Sequence, residues 1–524
     1  MCALAMGVSM LTAKPSATEC PARPLKSTAI LLSTVSTVMM RPTPQLRCRQ
    51  NPSVAMATNA SISPVVILPA AANFSNSTLI KKAPPTQTSR LTWWVRRICA
   101  VSAQRPREIA LRLLRRWETD SAFADALLSE ALPSVVPRDR ALCQELFYGV
   151  LRWRAPLDWL IDQRTAGRKQ APLVRDLLRL GLYQIFWLDR VPDHAAVHET
   201  VALARVCDVG HAAGFINATL RGCLRERDQW RAALDRLPTE HLALGHSHPD
   251  WLVARWLARW GEADTLALLR WNNQPPPIYA RPNPLCTTDL AARWLAAGVP
   301  HEAVSFDWMD APMLRLATEG SPDKLPGFAE GHFYLQDPST LLAVQMLDPQ
   351  PEDEILDLCA APGGKACAIA ARINNVGHII ACDVDKDRLA LLRENAQRLG
   401  ARSVDPLSVA HLPPRAVFDR VLVDAPCSNT GVMRRRVDLR WRLQPRSLTQ
   451  ACGAQRDLLA RAADHVKAGG RLVYSTCSVE EEENAAQIAA FLAAHPKFAL
   501  EAERVLLPFR DRVDGTYVAR LRRS

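Results

Sequence analysis

Two cysteines in this sequence stand where thiol chemistry is readily arranged. Cys427 lies in Asp424-Ala425-Pro426-Cys427-Ser428, and Cys477 lies in Ser475-Thr476-Cys477-Ser478. Each follows a short apolar run that reads as a strand, residues 419–423 and 471–474. Open α/β sheets bind ligands at the carboxyl ends of parallel strands. A thiol presented there, beside a helix start, can be activated as a nucleophile. One such cysteine is more often a small buried hydrophobe. Two at corresponding strand ends point to chemistry. Pro426 stiffens the turn that presents Cys427. Ser478 and Glu481 form an S-x-x-E pattern, which predicts a helix beginning just after Cys477.

A third element belongs with them. The segment DLCAAPGGK, residues 357–365, follows an apolar run at 354–358 and opens a helical stretch. Gly363 and Gly364 let the backbone approach a ligand closely, and a helix N-terminus offers N–H groups to an anion such as a carboxylate. The next strand, 378–382, is followed by Asp383, twenty residues after Gly363. That spacing suits an acidic side chain reaching a ribose hydroxyl. The segment is neither G-x-G-x-x-G nor G-x-x-x-x-G-K-[ST], which disfavours NAD, FAD and a P-loop nucleotide. Cys359 and Cys382 flank the same loop. Cys382, inside its strand, reads as packing.

The elements that must hold these residues follow from periodicity. From 354 to 477, strand-like runs alternate with helical ones such as 387–399 and 447–466, which predicts a doubly wound, largely parallel sheet. Residues 237–345 read as a small α+β module. A helix over 251–269 is followed by the breaker Asn272-Asn273-Gln274-Pro275-Pro276-Pro277 and the short apolar segment 278–280. Residues 105–236 read as all helical. Ile109, Leu111, Leu113, Leu114 and Trp117 fall at spacings consistent with an amphipathic helix. Further helices are expected near 139–153, 172–188, 194–206 and 211–225, separated at Pro137, Pro156, Pro192 and Gly210. The fold class is thus α/β, with an all-α domain and an α+β linker in front of the catalytic domain at 346–524.

Residues 1–104 differ. They carry eleven Lys and Arg against one acid, Glu19, so ten of the chain's net charge of +12 belong to this leader. Its apolar runs fall short of the ~18 residues of a membrane span, and its composition predicts disorder. It fits a transit peptide, an RNA-binding arm or an extension without a structural role. The 14 cysteines are spread along the chain without a C-x-x-C, which argues against a zinc ribbon or a disulfide framework. No metal is expected. His194 and His198, four apart on one helix, and His246 and His248 have no acidic or cysteine partner in sequence. A cytoplasmic monomer is expected, with organellar import through the leader as the lesser alternative.

The motifs DLCAAPGGK, VLVDAPCSNTG and YSTCS, in this order, resemble those of the RNA 5-methylcytosine methyltransferases that use S-adenosylmethionine. The resemblance continues through FYLQDPST (333–340), GVMRRRVDLRW (431–441) and VDGTYVARLRR (513–523). The helical region, with LFYGVLRW (146–153) and the segment 194–221, resembles the NusB-like RNA-binding domain. Together these resemble the bacterial RsmB (Sun/Fmu) type, which modifies 16S ribosomal RNA. The likeness covers about residues 105–524 and implies a Rossmann-like class I methyltransferase domain.

The resemblance implies that Cys477 bonds to cytosine C6, so that C5 can take the methyl group, and that Cys427 assists product release. It implies that Asp424 contacts the base ring, that Lys365 closes the cofactor loop and touches the base, and that Cys359, Ala360, Ala361, Pro362, Gly363, Gly364 and Lys365 hold S-adenosylmethionine, with Asp383 on its ribose. Ser408 occupies the position of a usual acidic contact to adenine, and Asp405 is the nearest substitute. The terminal DGTY departs from the usual DGFF and reads as packing. Arg434, Arg435, Arg436 and Arg440 are the best-placed candidates for phosphate contacts to ribosomal RNA, as 16S RNA or within the small subunit. Arg281 and Asn283 are further candidates. Two other readings remain open: an RNA-binding assembly factor with weakened catalysis, and a methyltransferase acting on transfer RNA or protein.

Overall fold

A computed structural model describes residues 106–317 and 324–524. The expectations about the leader lie outside these residues. The N-terminal part is helical, with Pro106–Thr119, Ala124–Ala131, Pro137–Arg152, Arg154–Arg164, Pro172–Trp187, Asp193–Val206 and Ala213–Arg225 as its main helices. Helix Pro172–Trp187 is buried without interruption along Asp176–Phe186, as expected for the central helix of a bundle. Gly149 makes the approach of its neighbour possible, since a Cβ there would lie 2.0 Å from the Tyr183 ring. Pro156 does not mark a loop as the sequence suggested. It falls in the first turn of Arg154–Arg164, where its missing N–H costs no helical bond.

The linker begins with helix Asp250–Asn273, broken at Gly261 by a left-handed φ of 73°. Four strands follow, β1 (Ile278–Pro282), β2 (His301–Val304), β3 (Met313–Leu316) and β4 (Phe333–Leu335). They form an antiparallel sheet in the order β2-β3-β1-β4.

The C-terminal sheet has seven strands: β5 (Glu354–Asp357), β6 (His378–Asp383), β7 (Val404–Ser408), β8 (Phe418–Asp424), β9 (Val466–Thr476), β10 (Phe498–Leu506) and β11 (Thr516–Arg523). Their order is β10-β11-β9-β8-β5-β6-β7. The pairs from β9 through β7 are parallel, whereas β11 runs antiparallel to both β9 and β10. The chain leaves β5 for β6 on one side and later returns with β8 on the other. That reversal opens a crevice above the carboxyl ends of β5 and β8. The α/β class with a helical domain and an α+β linker is therefore observed.

Three strands of this sheet escaped the sequence reading. β7 carries Asp405 and Pro406, which a sheet tolerates at an edge. β10 and β11 bear facing charges, including an Arg520–Glu501 ion pair of 3.0 Å, which hide their apolar alternation. Among the described residues, no helix is long and apolar enough to cross a membrane.

Candidate active site

The carboxyl ends of β5, β6, β8 and β9 open into one cavity. Its lining includes Asp357, Cys359–Pro362, Gly364, Lys365, Asp383, Asp424, Cys427 and Cys477. The loop after β5 is shaped by its glycines. Gly363 has φ +100°, and a Cβ on Gly364 would lie 2.8 Å from the Tyr334 ring. Helix Gly364–Arg372 starts there, so its first-turn N–H groups lack intrahelical acceptors. Asp383 fastens the loop to β6. Its buried carboxylate accepts from Ala361 N at 3.3 Å and Asp385 N at 3.1 Å, and pairs with Arg388 at 3.2 Å. Arg388 also donates to the Ala361 carbonyl.

Asp357 is fully buried, and neither carboxylate oxygen has a hydrogen-bond partner. Burial, followed by the nearby Asp424 carboxylate, pushes its pKa up to about 8 against the Lys365 charge. From its ordinary value of 3.8 up to about 8, the folded protein thus holds a proton that the unfolded chain releases. The group's contribution to stability is complete at the acid end of this window and is lost as pH rises through it. Asp357→Asn is expected to gain stability relative to the parent between about pH 5 and about pH 8. Urea unfolding at the two pH values measures the difference; a gap independent of pH would contradict it.

The two cysteines meet. Asp424 pairs with Ser475 across the parallel strands β8 and β9, so the turns that follow project the thiols side by side. Their sulfurs are 3.2 Å apart. The hydrogen bond to Cys477 and burial push the Cys427 thiol well above its usual range. Asn429, at a left-handed φ of 59°, spans the pair. Its Nδ2 donates to the Cys427 carbonyl at 2.7 Å, and its Oδ1 lies 2.9 Å from the Cys477 sulfur. Lys365 Nζ donates to Asp424 Oδ2 at 2.6 Å, and Ser475 Oγ donates to Asp424 Oδ1 at 2.7 Å. Burial pulls the Lys365 ammonium down, but Asp424 and then Asp357 more than offset this, and its pKa is raised. Cys359 is pushed up by burial and then by Asp383, and Cys382 packs into the core under the sheet.

Several expectations need correction. Ser408 ends β7 opposite Asp383, but Val409, not Ser408, lines the cavity. Asp405 pairs with Ile380, further back along the strand, and its exposed carboxylate lies 4.0 Å from His378. It is no substitute. Ser478 does not form a box with Glu481. Its hydroxyl accepts from Glu480 N and donates to Glu483, and the α-helix begins only at Ala485.

The arginine cluster is not a phosphate-tracking surface. Arg434, Arg436 and Arg440 are buried. Arg434 stacks over Trp271 at 4.0 Å, and Arg436 lies 5.9 Å over Phe123. Arg435 is clamped between Asp337, at 2.8 Å, and Asp514. Arg440 donates to the Ser247 and Asn272 carbonyls and to Asn273 Oδ1. The same segment closes the helical domain. Asp438 accepts from Trp117 Nε1 and Ala124 N, and Trp441 Nε1 donates to the Leu151 carbonyl. These side chains weld three domains together.

Arg281 and Asn283 are buried as well. Arg281 donates to the Gly364 carbonyl at 3.0 Å and so braces the glycine loop. Asn283 donates to the Gly331 and Leu399 carbonyls. His246 and His248 are buried and disfavoured as cations, His246 down to about 4.

Asp357, Arg388, Asn429, Glu483 and Asp514 were missed by the sequence reading. The αL-prone Asn429 immediately after Cys427-Ser428 was a usable signal. The others become visible only when their partners are in place.

Comparison with known proteins agrees with the geometry. Residues 344–522 match the family described as 16S rRNA methyltransferase RsmB/F, residues 104–225 match the NusB family, and residues 248–307 match the RsmF/B-like ferredoxin-like domain. A curated relative, the probable ribosomal RNA small subunit methyltransferase B of Synechocystis sp., is 36% identical over 80% of this chain and 99% of its own. Ribosomal RNA small subunit methyltransferase B of Sodalis glossinidius is 38% identical over 75% of this chain and 90% of its own. The crystal structure of PH0851 superposes with a TM-score of 0.66 at 26% identity, covering 80% of this chain and 99% of that one.

Proposed function

The chain belongs to the RsmB/F family of ribosomal RNA small subunit methyltransferases, and on that premise we propose that it methylates C5 of a cytosine in small-subunit ribosomal RNA, with Cys477 as nucleophile and S-adenosylmethionine as donor. The observation that carries this reading is the pair of sulfurs 3.2 Å apart in one cavity with the Lys365–Asp424 pair and the glycine loop.

The residues present suit that cofactor. The cavity is lined by six aspartates, Asp337, Asp357, Asp383, Asp385, Asp424 and Asp514, against Lys365, Arg388 and Arg461. Asp424 and Asp383 are matched by Lys365 and Arg388, and Asp337 and Asp514 by Arg435, so directed polar contacts rather than net charge would fix the ligand. Asp357, held protonated and without a partner, can donate to or accept from a polar group of the ligand. Residues 359–365 would hold the amino-acid end, where the helix N-terminus favours a carboxylate, and Asp383 would hold the ribose. When bound, the cofactor supplies a methyl group on a sulfonium sulfur.

Cytosine C5 is a weak nucleophile until a thiolate adds at C6. The Cys477 thiol gives its proton to a base, its sulfur bonds to C6, and the electron pair of the 5,6 double bond shifts through C5 and C4 towards N3, which leaves C5 enamine-like. Lys365 and Asp424, joined at 2.6 Å, hold the ring edge and stabilise the developing charge. Once C5 carries the methyl group, its proton leaves to a base. The resulting electron pair restores the double bond and expels the Cys477 sulfur. Cys427 acts in that last step, and its sulfur 3.2 Å from that of Cys477 supports this reading. RNA affinity outside the cavity belongs to the NusB-like domain in this reading, because the arginines after Cys427 are spent on packing.

Cys427→Ala is expected to yield a protein–RNA adduct that survives a denaturing gel in the presence of cofactor. The double variant Cys427→Ala/Cys477→Ala should show none. Absence of the band in the single variant removes the release role, and its presence in the double variant removes Cys477 as nucleophile.

A further inference from the structure

The two cysteine turns do not merely approach each other. Ser428 follows Cys427, Ser478 follows Cys477, and both serines converge on one side chain, Glu483. Its carboxylate accepts from the hydroxyls of Ser428 and Ser478 and from Ser428 N at 2.7 Å. Gln455 Nε2 donates to it at 3.0 Å and, at 2.9 Å, to the carbonyl of Pro426 before Cys427. Glu483 is fully buried, and its own carbonyl accepts from Tyr474 OH at 2.7 Å. A second layer ties the same turns together. Thr430 Oγ1 lies 3.1 Å from Ser478 Oγ and accepts from Val479 N at 3.0 Å.

A buried carboxylate is costly unless its lone pairs are satisfied. Here the donors come from the turns after two different strands, β8 and β9, so satisfying the charge forces those turns into one fixed relation. Burial shifts Glu483 toward its neutral form, and the serine hydrogen bonds oppose that shift. Hydrogen bonds to an ionised acceptor are the stronger kind.

We propose that Glu483 is a positioning residue that sets the separation of the Cys427 and Cys477 sulfurs, and thereby couples formation of the RNA adduct to its release. The proposal rests on the two-cysteine reading above. Attack on C6 needs the Cys477 sulfur alone, whereas release needs both sulfurs within reach of one base. Loosening the turns therefore harms release more than attack.

The test uses the full-length protein with cofactor and an RNA substrate. It measures the ratio of denaturation-resistant adduct to methylated cytosine, together with kcat, KM for RNA and the urea midpoint. Glu483→Ala is expected to raise that ratio roughly tenfold and to lower kcat, with KM changed by less than about twofold. Glu483→Gln should restore most of the parent ratio, because serine hydroxyls rotate to accept from an amide. Should Glu483→Ala fail to fold, Ser428→Ala and Ser478→Ala each remove one arm and should each raise the ratio severalfold.

A lower urea midpoint with an unchanged adduct-to-product ratio in all of these variants would overturn the proposal and leave Glu483 as a stabilising residue only. Absence of any adduct even in Cys427→Ala would instead remove the two-cysteine reading beneath it.

Discussion

Cys477→Ala is expected to lose methyl transfer by roughly three orders of magnitude or more, about 4 kcal/mol of transition-state stabilisation, while the protein remains folded. The side chain lines the cavity, and its sulfur contacts Cys427 and Asn429, so its removal opens space already adjoining the cavity. The neighbouring thiol of Cys427 cannot take its place without moving the turn. The Cys427 sulfur is 3.2 Å away, and a displacement of even about 1 Å from the productive geometry costs on the order of a hundredfold. Incorporation of a labelled methyl group into ribosomal RNA, alongside calorimetric titration with S-adenosylmethionine, measures both quantities. Full activity in the variant would refute the assignment of the nucleophile. Lost cofactor binding would show that the substitution damaged the cavity rather than the chemistry.

Arg440→Ala should produce the largest effect on stability, a loss of roughly 3–5 kcal/mol. The guanidinium is fully buried and donates to the Ser247 carbonyl at 3.1 Å, the Asn272 carbonyl at 3.0 Å and Asn273 Oδ1 at 2.7 Å. Burial, followed by the Arg152 charge, draws its pKa down to about 9. Truncation leaves three acceptors without that donor and a void between the linker helix and the catalytic domain. Arg440→Lys should rescue little, since one ammonium on a flexible stem does not reproduce the planar fork. Urea unfolding reports the loss, and RNA affinity of the folded variant should stay close to the parent's. Reduced affinity with unchanged stability would restore the phosphate-contact reading of this arginine.

That arginine cluster shows how far the chain could be read in one dimension. Arg434, Arg435, Arg436 and Arg440 follow the Cys427 turn as a basic run, and a run of charge is ordinarily solvated. Here Trp271, Phe123, Asp337, Asp514 and the ends of two helices cover it. Most of these partners lie far away in sequence, so no window of the chain contains the information. The edge strand β7 was missed for a different reason. Its Asp405 and Pro406 are poor strand residues, tolerated because only one side of an edge strand must pair. Ser478 was legible as a capping residue, but it bonds to Glu483 because the carboxylate is buried where Ser428 also arrives.

What the sequence determined by itself is local and covalent in origin. Gly363 supplies the positive φ on which the loop after β5 turns, Pro426 shapes the turn before Cys427, and the alternation of apolar strands with helices requires a parallel sheet, whose carboxyl ends are where such sheets bind ligands. These demands reach only a few residues along the chain, so they can be read there. Only the tertiary structure decided that β8 and β9 are neighbours, and thus that two cysteines fifty residues apart stand 3.2 Å from each other. It also decided which charges meet water and which are enclosed. Pairing and burial depend on what covers a side chain from across the fold, and the positive charge of residues 431–441 became interdomain packing for that reason.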